Sequence, residues 1–69
     1  MSTVFVIREF NRFTNKELGI YGVYSTHEKA VNSLIRNEPG VRFNDIDWTW
    51  KNSRLGTFYR IDEYTVDLD

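Results

Sequence analysis

The stretch STHEKAVNSLI, residues 25–35, decides the fold, because it carries the start and the buried face of the one helix that we predict. Ser25 and Glu28 fit a capping box, in which each of the two side chains accepts a hydrogen bond from a backbone N–H that the first helical turn leaves unpaired. Asn37 and then Pro39 stop the pattern, so we predict a helix over about residues 26–37. The apolar residues that follow the cap recur at helical spacing and form one stripe: Ala30, Val31, Leu34 and Ile35.

Two strands are predicted before this helix. TVFVIREF, residues 3–10, is rich in β-branched and aromatic side chains and is apolar on both faces, which is typical of a central strand covered on two sides. NRFTNKE, residues 11–17, predicts a hairpin loop, and LGIYGVYS, residues 18–25, predicts the returning strand. Gly19 and Gly22 within it indicate a bulge or a close backbone approach.

Two further strands are predicted after the helix. VRFN, residues 41–44, extends the chain into DIDWTW, residues 45–50, where alternation predicts a strand with Ile46, Trp48 and Trp50 on one face. KNSRLG, residues 51–56, predicts a second hairpin loop, and the last strand covers about residues 57–68. Its apolar side chains change face at Asp62 and Glu63, which indicates either a bulge or a strand that leaves one layer and joins another. The predicted fold is therefore α+β, in the order β-β-α-β-β, with one helix packed on one face of an antiparallel sheet.

Composition limits the class of protein. A chain of 69 residues forms a single small domain, here residues 1–69, and its 41% hydrophobic and 28% charged residues are typical of a globular chain. The sequence has no cysteine, which excludes disulfides and thiolate metal sites. No apolar run approaches the length needed to cross a bilayer, and MSTVFVIRE at the start lacks the features of a signal peptide. We therefore expect a cytoplasmic protein that makes no membrane contact.

Three segments together resemble a family of proteins. They are the VFVIRE strand, the GIYGVYSTHEKAVNSLI junction between strand and helix, and the YRIDEYTVDLD ending. In this combination the chain resembles a loose group of tiny phage and prophage proteins without an assigned activity. The resemblance covers most of the chain and implies the same architecture and a viral origin. It implies no functional residue, and neither DIDWTW nor the basic first hairpin belongs to the shared pattern.

The residue types that carry out catalysis are sparse. The single histidine, His27, falls in the first turn of the predicted helix and has neither a cysteine nor a second histidine as a partner for a metal site. General acid–base chemistry needs two carboxylates in unlike environments, whereas paired acids such as Asp45 and Asp47 fall in segments where carboxylates are usually solvated. The glycines form no phosphate-binding motif. We expect no catalytic residue, no metal site and no cofactor.

The first hairpin is the best candidate for binding nucleic acid. Single-strand binders combine basic side chains with aromatic platforms, and this hairpin interleaves the two kinds. The net charge of −1 argues against it, because dedicated binders are normally basic. Nucleic-acid binding is therefore the alternative hypothesis, and a structural or self-assembling subunit is the third. The nucleic-acid candidates are Arg8, Phe10, Arg12, Phe13 and Lys16.

The two tryptophans of DIDWTW raise a choice between an internal core and a contact surface. One helix is about 10 Å across, which covers only about half of a four-stranded sheet. The remaining aromatic side chains either fold over the uncovered half or bind a partner. We expect Trp48 to lie in the core and Trp50 to be partly exposed. Our hypothesis is a non-enzymatic module that binds and inhibits or redirects a host protein, and that also forms a homodimer or larger homo-oligomer. The candidate interface residues are Trp50, Trp48, Phe13, Tyr21, Asp45 and Asp47.

Overall fold

The computed structural model describes residues 2–52 and 56–66, and these form five antiparallel strands and one helix. The predicted α+β fold in the order β-β-α-β-β is confirmed, and the region after the helix supplies two short strands before the last long one. The elements are β1 (Ser2–Asn11), β2 (Glu17–Tyr24), α1 (His27–Asn37), β3 (Arg42–Asn44), β4 (Thr49–Lys51) and β5 (Thr57–Val66).

The strands form a single open sheet in the order β2-β1-β5-β4-β3. The long strands β1 and β5 pair along their whole length, from Ser2 opposite Val66 to Asn11 opposite Thr57. This pairing has no register shift, so the bulge that we predicted at Asp62 is wrong. The apolar residues change face there because Glu63 takes the helix-facing position opposite Phe5, where the buried core ends.

Glycine permits the irregular pairing of β2 with β1. Register shifts follow Ile7 and Glu9 of β1, opposite the part of β2 that contains both glycines, as predicted. Gly19 has a φ of 149°, in the left-handed region that favours glycine. A Cβ on Gly22 would lie 2.7 Å from Cε2 of Tyr24, so only glycine admits this ring.

The helix begins one residue later than the predicted capping box. Thr26 is the N-cap, with extended backbone, and its side-chain oxygen accepts a hydrogen bond from the N–H of Lys29. Ser25 is therefore not the N-cap, although the box correctly located the start of the helix to within a residue. Ala30 and Leu34 are buried against the sheet, whereas Ile35 of the predicted stripe is exposed. In the described part of the chain, no helix has the length and apolar character to cross a membrane.

The core lies between α1 and one face of the sheet. Its fully buried members are Ile7, Ala30, Leu34 and Tyr59, and partly buried aromatic rings surround them. The helix packs over β1 and β2, and the rings of Tyr59 and Trp50 cover the side that the helix leaves free. The opposite face, here called the open face, carries no covering element among the described residues. The expectation that the first strand is covered on two sides is therefore wrong, although Val6 on that face is buried by its neighbours.

Candidate binding site at the turn between β3 and β4

We predicted a strand over residues 45–50. Residues 45–48 instead form a turn, and the strand begins at Thr49. Two side chains cause this change. Oδ1 of Asn44 accepts the N–H of Ile46 at 3.0 Å, and Oδ1 of Asp47 accepts both the N–H and the hydroxyl of Thr49, at 3.2 and 2.6 Å. Such local bonds offer the backbone an alternative to pairing with a neighbouring strand, so the chain turns here.

Trp48 adopts a left-handed backbone conformation, with a φ of 58°. For a bulky aromatic residue this conformation is a genuine outlier that costs about 1–3 kcal/mol, and it persists only where the surroundings impose it. Asp47 supplies that constraint: its Oδ2 lies 2.7 Å from Nζ of Lys51, while its Oδ1 holds Thr49. The bond from Lys51 and then that from Thr49 hold the pKa of the Asp47 carboxyl below its usual range.

Trp48 lies in the opposite environment to the one predicted. It is 72% exposed, whereas Trp50 is partly exposed, as predicted, and also packs against the core opposite Tyr59. The positive φ at Trp48 breaks the strand alternation of the segment. The assignment of Trp48 to the core is therefore wrong.

An exposed apolar surface results at this turn, formed by Ile46, Trp48 and Phe43, and we call it the Trp48 surface. Ile46 is 88% exposed, and Phe43 contacts both tryptophans, with ring centroids 5.8 Å from Trp48 and 5.1 Å from Trp50. Single exposed apolar residues are ordinary on a protein surface. Here three of them share one hairpin, and one of the three, Phe43, also contacts Trp50, which packs against the core.

Sequence reasoning missed Phe43 and assigned Ile46 only to a strand face. The signal that could have located the turn is the spacing Asn44, Asp45 and Asp47, since asparagine and aspartate bond readily to backbone two residues ahead. Asp45 and Asp47, both candidates for the interface, have different surroundings. Asp47 is engaged within the turn, whereas the Asp45 carboxylate forms no hydrogen bond or ion pair with the described residues.

The nucleic-acid candidates divide between two sites. Arg8 lies on the open face, where its guanidinium donates to the Tyr64 hydroxyl and, at 2.8 Å, to Oε1 of Glu17. These bonds, that to Tyr64 first, raise the pKa of Arg8. Nε of Arg8 is buried 3.1 Å from Oδ2 of Asp62, close enough for an ion pair but not aligned for a hydrogen bond. Arg8 is thus neutralised by two carboxylates.

Phe10 also lies on the open face and is engaged there. Its ring stacks on Phe58 with centroids 5.0 Å apart and planes 9° apart, and the Arg60 guanidinium lies 5.1 Å from its centre. Arg12, Phe13 and Lys16 are exposed in the loop between β1 and β2. The basic and aromatic residues of the hairpin therefore do not form one continuous track.

Tyr21, the last interface candidate, belongs to the edge of the core. It is half-buried, its ring meets that of Tyr59 edge-on at 5.2 Å, and its hydroxyl donates to Oε1 of Glu38 at 3.4 Å. Burial, followed by the charge of Glu38, raises the pKa of Tyr21. Burial likewise raises the pKa of Tyr59 to about 12. Both shifts have structural causes and do not indicate an acid or base in a reaction.

Side chains that bind metals do not cluster in the part of the chain that the structure describes. Within residues 2–52 and 56–66, no group of three or more histidine and acidic side chains could hold a metal ion. His27 is exposed and lies edge-on to Phe5, with ring centroids 5.8 Å apart. Comparisons with protein-family models, curated proteins and solved structures gave no match to this chain.

Proposed function

We propose that this chain is a non-enzymatic protein-binding module whose Trp48 surface contacts another protein. The observation that supports this proposal is that Trp48 is both exposed and held in a costly backbone conformation. Strained backbone of this kind clusters at binding and catalytic sites, where the surrounding structure holds it in place. The hydrogen bonds of Asp47 maintain the strain rather than relieve it.

The physical properties of this surface suit an interface. Tryptophan is among the residues that contribute most to binding energy, and aromatic side chains are enriched at the centres of interfaces. The turn is ordered before binding, since its conformation is fixed by side-chain bonds, and such preorganisation lowers the entropy lost on association. Phe43 contacts the Trp48 ring and also the Trp50 ring, so the exposed Trp48 surface is packed onto side chains of the core.

The partner class follows from the resemblance to tiny phage proteins. A phage-encoded module of this size would act in the host cytoplasm by occupying or redirecting a host protein. Occlusion of a functional surface requires area and affinity but no catalytic group. The inference of a host partner depends on that resemblance, whereas the inference of a protein-binding surface depends on Trp48 alone.

Affinity capture from a host lysate tests the proposal when matched variants are compared. We expect the wild-type chain to retain one or a few proteins after nuclease treatment, and Trp48→Ala to lose them. Ile35→Gln is the control, because Ile35 is exposed on α1, outside the turn and outside β2. Equal capture by Trp48→Ala and the wild type would contradict the proposal. Capture that disappears on nuclease treatment would favour nucleic-acid binding instead.

A further inference from the structure

A cleft of about 370 Å³ adjoins the Trp48 surface. Three separate segments bring cationic side chains to it: Arg12 from the loop between β1 and β2, Arg42 from β3 and Lys51 from β4. The remaining lining residues are Gly40, Phe43, Asn44 and Asp45. Phe43 lines the cleft, but strand pairing places its ring with Trp50, on the opposite side of the hairpin from the side chains of Arg42 and Lys51.

The charges at this cleft are unbalanced. The guanidinium groups of Arg12 and Arg42 form no ion pair or hydrogen bond with any residue that the structure describes. Lys51 is paired with Asp47, and Asp45 is the one carboxylate among the described lining residues. Arg8 on β1 and Arg60 on β5, by contrast, both have carboxylate partners.

The position of Arg12 is fixed by the backbone. Its N–H donates to the carbonyl of Gly56 at 2.8 Å, and the N–H of Asn11 donates to the carbonyl of Lys16 at 2.7 Å. The loop that carries Arg12 is thereby closed at its base and tied to the start of β5. Arg42 is held by strand pairing opposite Lys51. The two guanidinium groups are therefore attached to ordered backbone at the two sides of the cleft.

We propose that this cleft binds the carboxylate of an acidic segment of the partner protein. The proposal rests on the function proposed above, which it deepens. Guanidinium groups bind carboxylates through paired, charge-assisted hydrogen bonds, and two unpaired ones face this cleft.

A nucleic-acid backbone fits this cleft less well. A nucleic-acid backbone is bound by a row of cationic side chains that extends along several nucleotides. The next basic residue in this direction, Arg8 of β1, is instead paired with carboxylates on the open face. A single carboxylate needs only the two guanidinium groups.

Nuclear magnetic resonance titration of the whole chain tests this inference without an identified partner. The probe is a decamer of glutamate, compared with a decamer of glutamine and with a ten-nucleotide oligothymidylate. We expect saturable shifts at the Nε–H groups of Arg12 and Arg42 with the glutamate decamer and none with the glutamine decamer. Shifts of equal size at Arg36, an exposed arginine in the last turn of α1, would overturn the proposal. So would tighter binding of the oligonucleotide at the same two arginines.

Three variants sharpen the test. Arg42→Gln should weaken binding of the glutamate decamer by about tenfold, as expected for the loss of one charge-assisted contact. Arg36→Gln should leave it unchanged, and Asp45→Asn should tighten it, because it removes a carboxylate from the cleft. An unchanged affinity in both Arg42→Gln and Asp45→Asn would overturn the cleft proposal. That result would leave the effect of Trp48→Ala on protein capture intact, so the two proposals fail separately.

Discussion

The ring of Trp48 meets the ring of Phe43 edge-on, with centroids 5.8 Å apart and planes at 73°, while Phe43 in turn lies 5.1 Å from the ring of Trp50. Edge-to-face pairs of this kind contribute about 0.5–1.5 kcal/mol beyond the area that they bury. One phenylalanine thus separates a solvent-exposed tryptophan from a tryptophan of the core, which gives the two indole rings different roles.

The strain at Trp48 predicts an unusual order of stability among its variants. Trp48→Gly should be more stable than Trp48→Ala by about 1 kcal/mol, because glycine adopts a positive φ freely and alanine does not. At an ordinary extended position the order is the reverse. Urea unfolding of the two variants measures the difference. An alanine variant at least as stable as the glycine variant would show that the backbone at residue 48 is not strained.

The two tryptophans should differ strongly in their effect on stability. Trp50→Ala should cost about 3 kcal/mol, the lower end for a core tryptophan, since Trp50 is only partly exposed and packs on the buried Tyr59. Trp48→Ala should cost about 1 kcal/mol, the scale of its contact with Phe43. Thermal melts compare them directly. Equal losses would place both rings in the core and remove the basis for a Trp48 surface.

Part of this fold follows from short-range rules and part does not. The helix start, the helix end at Asn37 and the irregularities near Gly19 and Gly22 each depend on neighbouring residues, so the sequence predicts them. The turn at Asp47 was missed because alternating apolar residues predict a strand as strongly as the aspartate and asparagine side chains predict a turn. The ion pair of Arg8 was not predicted for another reason: its partner Asp62 is distant in sequence, and only strand pairing brings them together.

Tyr59 should be the last tyrosine to ionise. Its pKa is about 12, against an ordinary value of 10.0, because burial disfavours the phenolate. A raised pKa contributes stability to the folded state below pH 10, and this contribution is lost as the pH rises through the pKa of Tyr59 in the folded state. An ultraviolet titration should show a step near pH 12 that disappears in Tyr59→Phe. A wild-type curve in which every tyrosine ionises near pH 10 would contradict the burial of this hydroxyl.

Asp47 should make the turn sensitive to acid. Lys51 and Thr49 lower the pKa of its carboxyl. Its contribution to the stability of the folded state is therefore present above pH 3.8, the ordinary pKa, and is lost as the pH falls through the lower pKa of the folded state. Asp47→Ala should remove both the ion pair and the acceptor of the Thr49 bonds, and so loosen the turn at neutral pH. The measurement is the amide exchange rate of Thr49, whose N–H donates to Asp47. An unchanged rate in Asp47→Ala would mean that this side chain does not hold the turn.

Self-association remains a prediction of the sequence that the exposed side of β2 supports. Leu18, Ile20 and Val23 are exposed on this strand, which is at the edge of the sheet and has unpaired backbone groups. We expect a homo-oligomer at micromolar concentration, detected by sedimentation equilibrium. Only the monomer mass of 8.2 kDa up to about millimolar concentration would contradict it.

Photo-crosslinking at position 48 tests the protein-binding account most directly. Trp48→p-benzoylphenylalanine keeps an aromatic group at the exposed turn, and Ile35→p-benzoylphenylalanine provides the matched control on α1. After irradiation in the lysate used for affinity capture, we expect position 48 to give one dominant adduct with another protein that position 35 does not give, and unlabelled wild-type chain to suppress it. No adduct at position 48, or the same adducts at both positions, would contradict the claim that the Trp48 surface binds a partner.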